Sequence, residues 1–240
     1  MNILITGGAS GLGKSITLDL LKKSDHKVVF TYSMSVKSAL EITTKFQNAL
    51  AIKCDFTCVD EVDSLCEYIK DSEIDILINN AYQGGFISKH FNRTEIQDFR
   101  ESFETNIIPT IKITQTVITV FKKKKFGKII TILSEALVNK SPIGTSVYSA
   151  NKAYLKQLSK SWAVENVKFN ITSNSVSPSF MQTNLTKDFD DRILEKMIDG
   201  HPLKELLQPK DVVDTINYLI TATNHLNGVD ILLNGGQNLK

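Results

Sequence analysis

Thr6-Gly7-Gly8-Ala9-Ser10-Gly11-Leu12-Gly13 follows a short apolar run, Ile3–Thr6, and leads into a segment of helical period, Leu12–Lys23. Glycines at 7, 11 and 13 allow a tight turn, a close approach of backbone to ligand, and close packing of a helix on a strand. The start of the helix then offers free N–H groups and a positive dipole end to a pyrophosphate. A glycine string alone says little, because turns use glycine for steric reasons. Its place between a strand and a helix is what points to a dinucleotide.

The same rhythm continues along the chain. Further strands are predicted over Lys27–Tyr32, Ala49–Cys54, Ile74–Asn79, Lys128–Ser134, Asn170–Ser175 and Asp230–Leu233. Most are unbroken Val/Ile/Leu runs, the mark of strands buried on both faces of a parallel sheet. Helical patterns lie between them, over Val36–Phe46, Val59–Ile69, Gln97–Phe121, Val147–Val164 and Pro209–Thr221. The expectation is an α/β fold: one doubly wound sheet of about seven parallel strands, helices on both faces, residues 1–240 forming a single domain. Thr94 and Gln97 are spaced as a capping box for the long fourth helix. Residues 180–208 break the rhythm, with a weak helical stretch at Asp190–Ile198, and read as a substrate-side lid rather than a plain surface insertion.

Composition narrows the function. The 240 residues carry 28 Lys+Arg against 26 Asp+Glu, a net charge of +2, which gives no reason to expect nucleic acid as a partner. No apolar run approaches the roughly 18 residues of a membrane span, and the first residues run into a strand without a basic leader, so no secretory signal is expected. Cys54, Cys58 and Cys66 are too few and too odd for a disulfide scaffold, and the cytoplasm is the default address. His26, His90, His201 and His225 are scattered without ligand spacing, so no metal site is expected. The run Lys122–Lys125 is read as a solvated helix end that suits the C-terminal dipole.

Tyr148 and Lys152 are four apart and share one helix face. A free tyrosine ionises near pH ~10, and a fixed ammonium beside it is expected to lower that value, making the phenol a usable acid/base. Ser134 offers a second hydroxyl for the same substrate oxygen. Taken alone, Tyr-x-x-x-Lys is more often a decorated helix than a site.

The motifs together resemble those of the short-chain dehydrogenase/reductase family, and the chain is closest in flavour to its 3-oxoacyl-[acyl-carrier-protein] reductase members. Thr6–Gly13 matches T-G-x-x-x-G-x-G, and Asp55 follows the third strand. Asn79-Asn80-Ala81 ends the fourth, with Tyr82 in place of the family's glycine. Tyr148-Ser149-Ala150-Asn151-Lys152 supplies Y-x-x-x-K, Pro178-Ser179 stands for Pro-Gly, Thr183 follows, and Gly235-Gly236 closes the pattern. The resemblance implies hydride transfer between a nicotinamide and a carbonyl or secondary alcohol. Tyr148 is then the acid/base, Ser134 orients the substrate, Lys152 holds the nicotinamide ribose, and Asn106 holds a water that relays protons. It further implies that Gly7, Ser10, Gly11, Leu12 and Gly13 contact the cofactor at its phosphate end. Ser33, Asp55, Phe56, Asn80 and Ala81 follow on the adenosine side, then Tyr148, Lys152, Pro178, Met181 and Thr183. Tyr82 is expected close to the nicotinamide ribose, and Ser179 in a backbone geometry normally given to glycine.

Pro109 lacks an N–H and cannot bond the Thr105 carbonyl, so a helix break is expected beside Asn106. After the second strand, Phe30-Thr31-Tyr32-Ser33-Met34-Ser35 holds no carboxylate to bond a ribose 2′-hydroxyl, which favours NADP(H) over NAD(H), with Ser33, Ser35, Lys37 or Lys14 free to meet a 2′-phosphate. The substrate is a small or carrier-bound carbonyl. A homotetramer, or at least a dimer, is expected through Ile107, Ile111, Val117 and Ile118 of the fourth helix and Leu155, Leu158 and Trp162 of the fifth. The rival reading is a catalytically silent dinucleotide sensor, which would have no need of Ser134, Tyr148 and Lys152 together.

Overall fold

Runs without alternation leave no polar face, so such strands must be covered on both sides. The computed structural model, which describes residues 1–23, 25–85, 89–138, 141–181 and 191–237, arranges them as one seven-stranded parallel sheet. The strands are β1 (Asn2–Ile5), β2 (Lys27–Tyr32), β3 (Ala49–Lys53), β4 (Ile76–Asn79), β5 (Gly127–Ile132), β6 (Ile171–Pro178) and β7 (Asp230–Leu233). The helices are α1 (Gly11–Leu21), α2 (Val36–Lys45), α3 (Val59–Lys70), α4 (Ile96–Lys124), α5 (Ser146–Asn166), α6 (Asp191–Gly200) and α7 (Pro209–Thr221).

The spatial order β3-β2-β1-β4-β5-β6-β7 sends the chain outward from β1 in both directions. That reversal opens a crevice beyond the carboxyl ends of β1 and β4, where open α/β sheets bind their ligands. Successive β1 residues feed opposite layers, as the strand period of two requires. Ile3 and Ile5 pack with Ile16 of α1 and Ile216 of α7, whereas Leu4 packs with Leu65 of α3, Val117 of α4 and Trp162 of α5. Central β5 and β6 are buried throughout, while edge strands β3 and β7 are half-buried.

Several expectations change in the folded chain. β6 runs on to Pro178 although Ser175-Val176-Ser177-Pro178 looks too polar and too proline-ended for a central strand. The hydroxyls of Ser175 and Ser177 donate to the Asp230 carboxylate at 2.9 and 2.8 Å, so the polar run is satisfied by β7. The fourth helix is capped one residue later than expected. Glu95 is its N-cap, with its N–H donating to Asp98 at 3.2 Å, and the Thr94 hydroxyl donates instead to the His90 carbonyl at 3.1 Å. Pro109 does not interrupt α4, which runs continuously. A single missing bond is outweighed by burial of Ile107, Pro109 and Ile113 on either side, and the Thr110 hydroxyl donates to the Asn106 carbonyl at 2.7 Å. Ile107, Val117, Ile118, Leu155 and Trp162 are buried within the chain's own core, so their helical spacing reflects internal packing. Lys122, Lys123 and Lys124 form the last turn of α4. No helix among the described residues is long and apolar enough to cross a membrane.

Candidate active site

The glycine loop is locked from both neighbouring strands. Thr31 of β2 accepts from Gly8 N–H through its carbonyl (2.8 Å) and from Gly7 N–H through its hydroxyl (2.9 Å). Just past β4, Asn80 donates its side-chain amide to the carbonyls of Thr6 (2.9 Å) and Gly7 (3.2 Å). The Thr6 hydroxyl accepts from the N–H groups of Asn80 and Ala81, both at 3.0 Å. Gly13 is where a side chain cannot fit: a Cβ there would lie far inside contact distance of the Gly7 carbonyl oxygen and 2.5 Å from Asn80 Nδ2. Gly11 has φ +50°, and a Cβ there would meet nothing within 4 Å. The loop is tight toward the protein and open toward the crevice, which is the shape a phosphate cradle needs.

A cavity of about 540 Å³ occupies that crevice. It is bounded at one end by the glycine loop, with Ser10, Gly11, Leu12 and Gly13, and beside it by Ser33 after β2 and Phe56 after β3. Asn80 and Ala81 line its middle. Ser134, Tyr148 and Lys152 line the far end with Pro178 and Met181. Nearly all of the sequence-derived site residues therefore meet in one place. Asp55 lies just outside the lining, between Cys54 and Phe56, which belong to it. Its carboxylate accepts from Gln83 Nε2 (3.0 Å) and from the Thr57 N–H (2.9 Å) and hydroxyl (2.7 Å), and these bonds hold it below the usual carboxylate range. Asn106 is not in the lining either. Its Oδ1 accepts from Gln83 N–H (2.6 Å) and its Nδ2 donates to the carbonyls of Gln83 and Ser102, both at 3.0 Å. Thr183 lies outside the described residues, as do residues 182–190 of the expected lid.

At the chemical end, Ser134 closes β5 as the N-cap of a short 3₁₀ turn, and its Oγ accepts from Ala136 N–H at 3.1 Å. Its hydroxyl lines the same cavity as the Tyr148 phenol and favours the ionised form of that phenol. One turn along α5, Lys152 is wholly buried and donates to the Ile132 carbonyl at 2.8 Å. The electrostatics differ from the sequence expectation. Burial pushes Tyr148 up to about 12, with the Ser134 hydroxyl pulling the other way, and burial likewise pushes Lys152 down to about 8. Desolvation outweighs the expected help of the ammonium because Lys152 Nζ stands 5.8 Å from the Tyr148 ring centre and gives its bond to backbone. At neutral pH the pair is therefore a protonated phenol above a charged lysine, an arrangement suited to giving a proton to a carbonyl oxygen.

Tyr82 stands in the middle of this group. Its ring packs edge-on against Tyr148, with centres 5.0 Å apart at 75°, and lies 5.0 Å from Lys152 Nζ. Ser179 is not in the left-handed region. Its N–H donates to the Leu233 carbonyl at 2.8 Å, extending the β6–β7 pairing past Pro178, so the position does not require glycine. Sequence reasoning missed Gln83, which bridges Asp55 and Asn106, although it directly follows the Asn-Asn-Ala motif. It also missed that His201, set aside as one of four scattered histidines, is buried and lines the cavity, its Nδ1 accepting from Leu203 N–H at 3.2 Å. Cys54, Cys58 and Cys66 are unpaired. No cluster of three His, Cys, Asp or Glu side chains among the described residues is arranged to hold a metal.

Comparison with known proteins agrees with this geometry. The family described as short chain dehydrogenase matches residues 1–193. The chain is 32% identical to a 3-oxoacyl-[acyl-carrier-protein] reductase of Synechocystis sp., covering 97% of this chain and 95% of that protein. It is 29% identical to the 7alpha-hydroxysteroid dehydrogenase of Escherichia coli (strain K12), covering 97% and 92%. Among solved structures it is similar to ElxO with NADP bound, at a TM-score of 0.87 and 27% identity over 98% of both chains.

Proposed function

We propose, from the premise that this chain belongs to the short-chain dehydrogenase family and is an NAD(P)-dependent dehydrogenase or reductase, that it reduces a carbonyl to a secondary alcohol with Tyr148 as proton donor. The observation that carries this reading is the convergence of Ser134, Tyr148 and Lys152 on one cavity, with Lys152 buried one turn along α5 from Tyr148.

The open cradle at Gly11 and the N-terminus of α1 fit the phosphates of a dinucleotide. Ser33, Phe56, Asn80 and Ala81 would hold the adenosine side, with Asp55 just behind them, while Tyr148, Lys152, Pro178 and Met181 would hold the nicotinamide side, as would Thr183. When bound, the nicotinamide supplies or accepts the hydride. The chain's own residues handle position and protons. Ser134 Oγ donates to the substrate oxygen and fixes it beside Tyr148 Oη. The phenol gives up its proton as negative charge grows on that oxygen, and Lys152 steadies the phenolate left behind. The Asn106 Oδ1 keeps one lone pair beyond its bond to Gln83 N–H, and we assign that lone pair to a water that returns a proton to Lys152.

NADP(H) is the preferred cofactor in this reading. The turn after β2 offers the half-buried hydroxyls of Ser33 and Ser35 and no carboxylate to repel a 2′-phosphate. From the lid region, Phe180, Met181, Met197 and Leu206 line the cavity and would cover a carbonyl that is either a small molecule or carrier-bound. Assembly into a dimer or tetramer would use what α4 and α5 leave exposed, such as Ile108 and Tyr154. The unpaired cysteines are in keeping with a reducing compartment such as the cytoplasm.

NADPH oxidation followed over a panel of ketones and β-keto thioesters tests the reading. Turnover on at least one member is expected. Tight NADPH binding without turnover on any member would favour the sensor instead.

A further inference from the structure

Tyr82 occupies a position that the resemblance assigns to a residue with no side chain, yet its placement is anything but loose. The phenol oxygen lies 3.5 Å from Ser102 Oγ of α4. That hydroxyl in turn accepts from Asn151 Nδ2 of α5 at 2.8 Å. The next residue, Gln83, is gripped through its backbone by Asn106. Two helices, α4 and α5, thus fix one ring, and the ring touches the two groups on which the reaction depends.

What the ring does there follows from the charge of its neighbours. Lys152 is buried and donates a hydrogen bond to the Ile132 carbonyl of β5. The tyrosines Tyr148, from its own helix, and Tyr82, from the loop after β4, face it, and among the described residues no carboxylate forms an ion pair with it. A buried ammonium without a carboxylate needs another source of negative potential, and the face of an aromatic ring supplies one. We propose that Tyr82 is a positioning residue, whose ring carries the Lys152 ammonium in place of a counter-ion while its edge-on contact holds the Tyr148 ring toward Ser134. This deepens the acid/base reading and rests on it for its functional meaning.

The test reads Lys152 directly in the apoprotein. With lysines labelled at ¹³Cε, the Lys152 signal should titrate near pH 8, far below an ordinary lysine, and it is assigned by its loss in Lys152→Arg. Tyr82→Phe keeps the ring and should leave the midpoint within about 0.2 pH unit. Tyr82→Leu and Tyr82→Met fill the space without a ring face and should lower the midpoint by about half to one pH unit. Two apolar variants are used so that one can fail to fold without ending the test. The proposal is overturned when a folded Leu or Met variant titrates with wild type, or when Phe shifts as far as they do. A failure of the acid/base reading shows up separately, as full turnover by Tyr148→Phe, and leaves this titration intact.

Discussion

Replacing Lys152 by methionine should stabilise the protein at neutral pH while disabling the chemistry. The side chain is 4% exposed and burial brings its ionisation down from 10.5 to about 8. At about 1.4 kcal/mol per pH unit, the charged form is disfavoured in the fold by roughly 3 kcal/mol. Methionine has similar length and no charge. It gives up the bond to the Ile132 carbonyl, worth about 1 kcal/mol, and the ring contacts with Tyr82 and Tyr148, so a net gain of about 1–2 kcal/mol remains near pH 7. The pH dependence has a definite sign. Below pH 8 the lysine is protonated both folded and unfolded, and the full penalty is present. Between about 8 and 10.5 the unfolded chain holds a proton that the folded chain has released, so wild-type stability rises with pH through that window. The advantage of Lys152→Met should accordingly shrink by about 2 kcal/mol between about pH 7 and about pH 9.5. Urea unfolding followed by fluorescence of Trp162, the chain's one tryptophan and buried in α5, measures it. A methionine variant less stable than wild type near pH 7, or a difference that does not change with pH, would refute the argument.

Gly13→Ala forces a Cβ into the Gly7 carbonyl and the Asn80 amide; it should cost about 3 kcal/mol by thermal or urea unfolding and weaken dinucleotide binding in a fluorescence titration. Ser33→Asp places a carboxylate after β2; NADPH affinity should fall at least about tenfold while NADH affinity holds or improves, and equal losses for both would count against the 2′-phosphate assignment.

The fold was readable because its main strands are unbroken apolar runs and because the glycine loop sits between one of them and a helix. The folded order around β1 and β4 puts that loop at the reversal, where the remaining motifs also converge. What was hidden depended on partners distant in sequence. The polar end of β6 becomes a strand only because Asp230, more than fifty residues on, receives its serine hydroxyls. Pro109 looks like a break until the burial around it is counted. Spacing brings Tyr148 and Lys152 together, but it carries no information about dielectric. Burial therefore reversed the expected direction for the tyrosine. Tyr82 was visible as a departure from a motif, yet its contacts with Tyr148 and Lys152 required the loop to be placed.

The most direct test of the central claim is Tyr148→Phe, measured as NADPH oxidation on the best carbonyl substrate beside NADPH affinity by fluorescence. The change removes one hydroxyl from a buried ring that stays packed against Tyr82. The expected rate is lower by about 10²–10⁴-fold, with cofactor affinity nearly unchanged. Near wild-type turnover by Tyr148→Phe would contradict it.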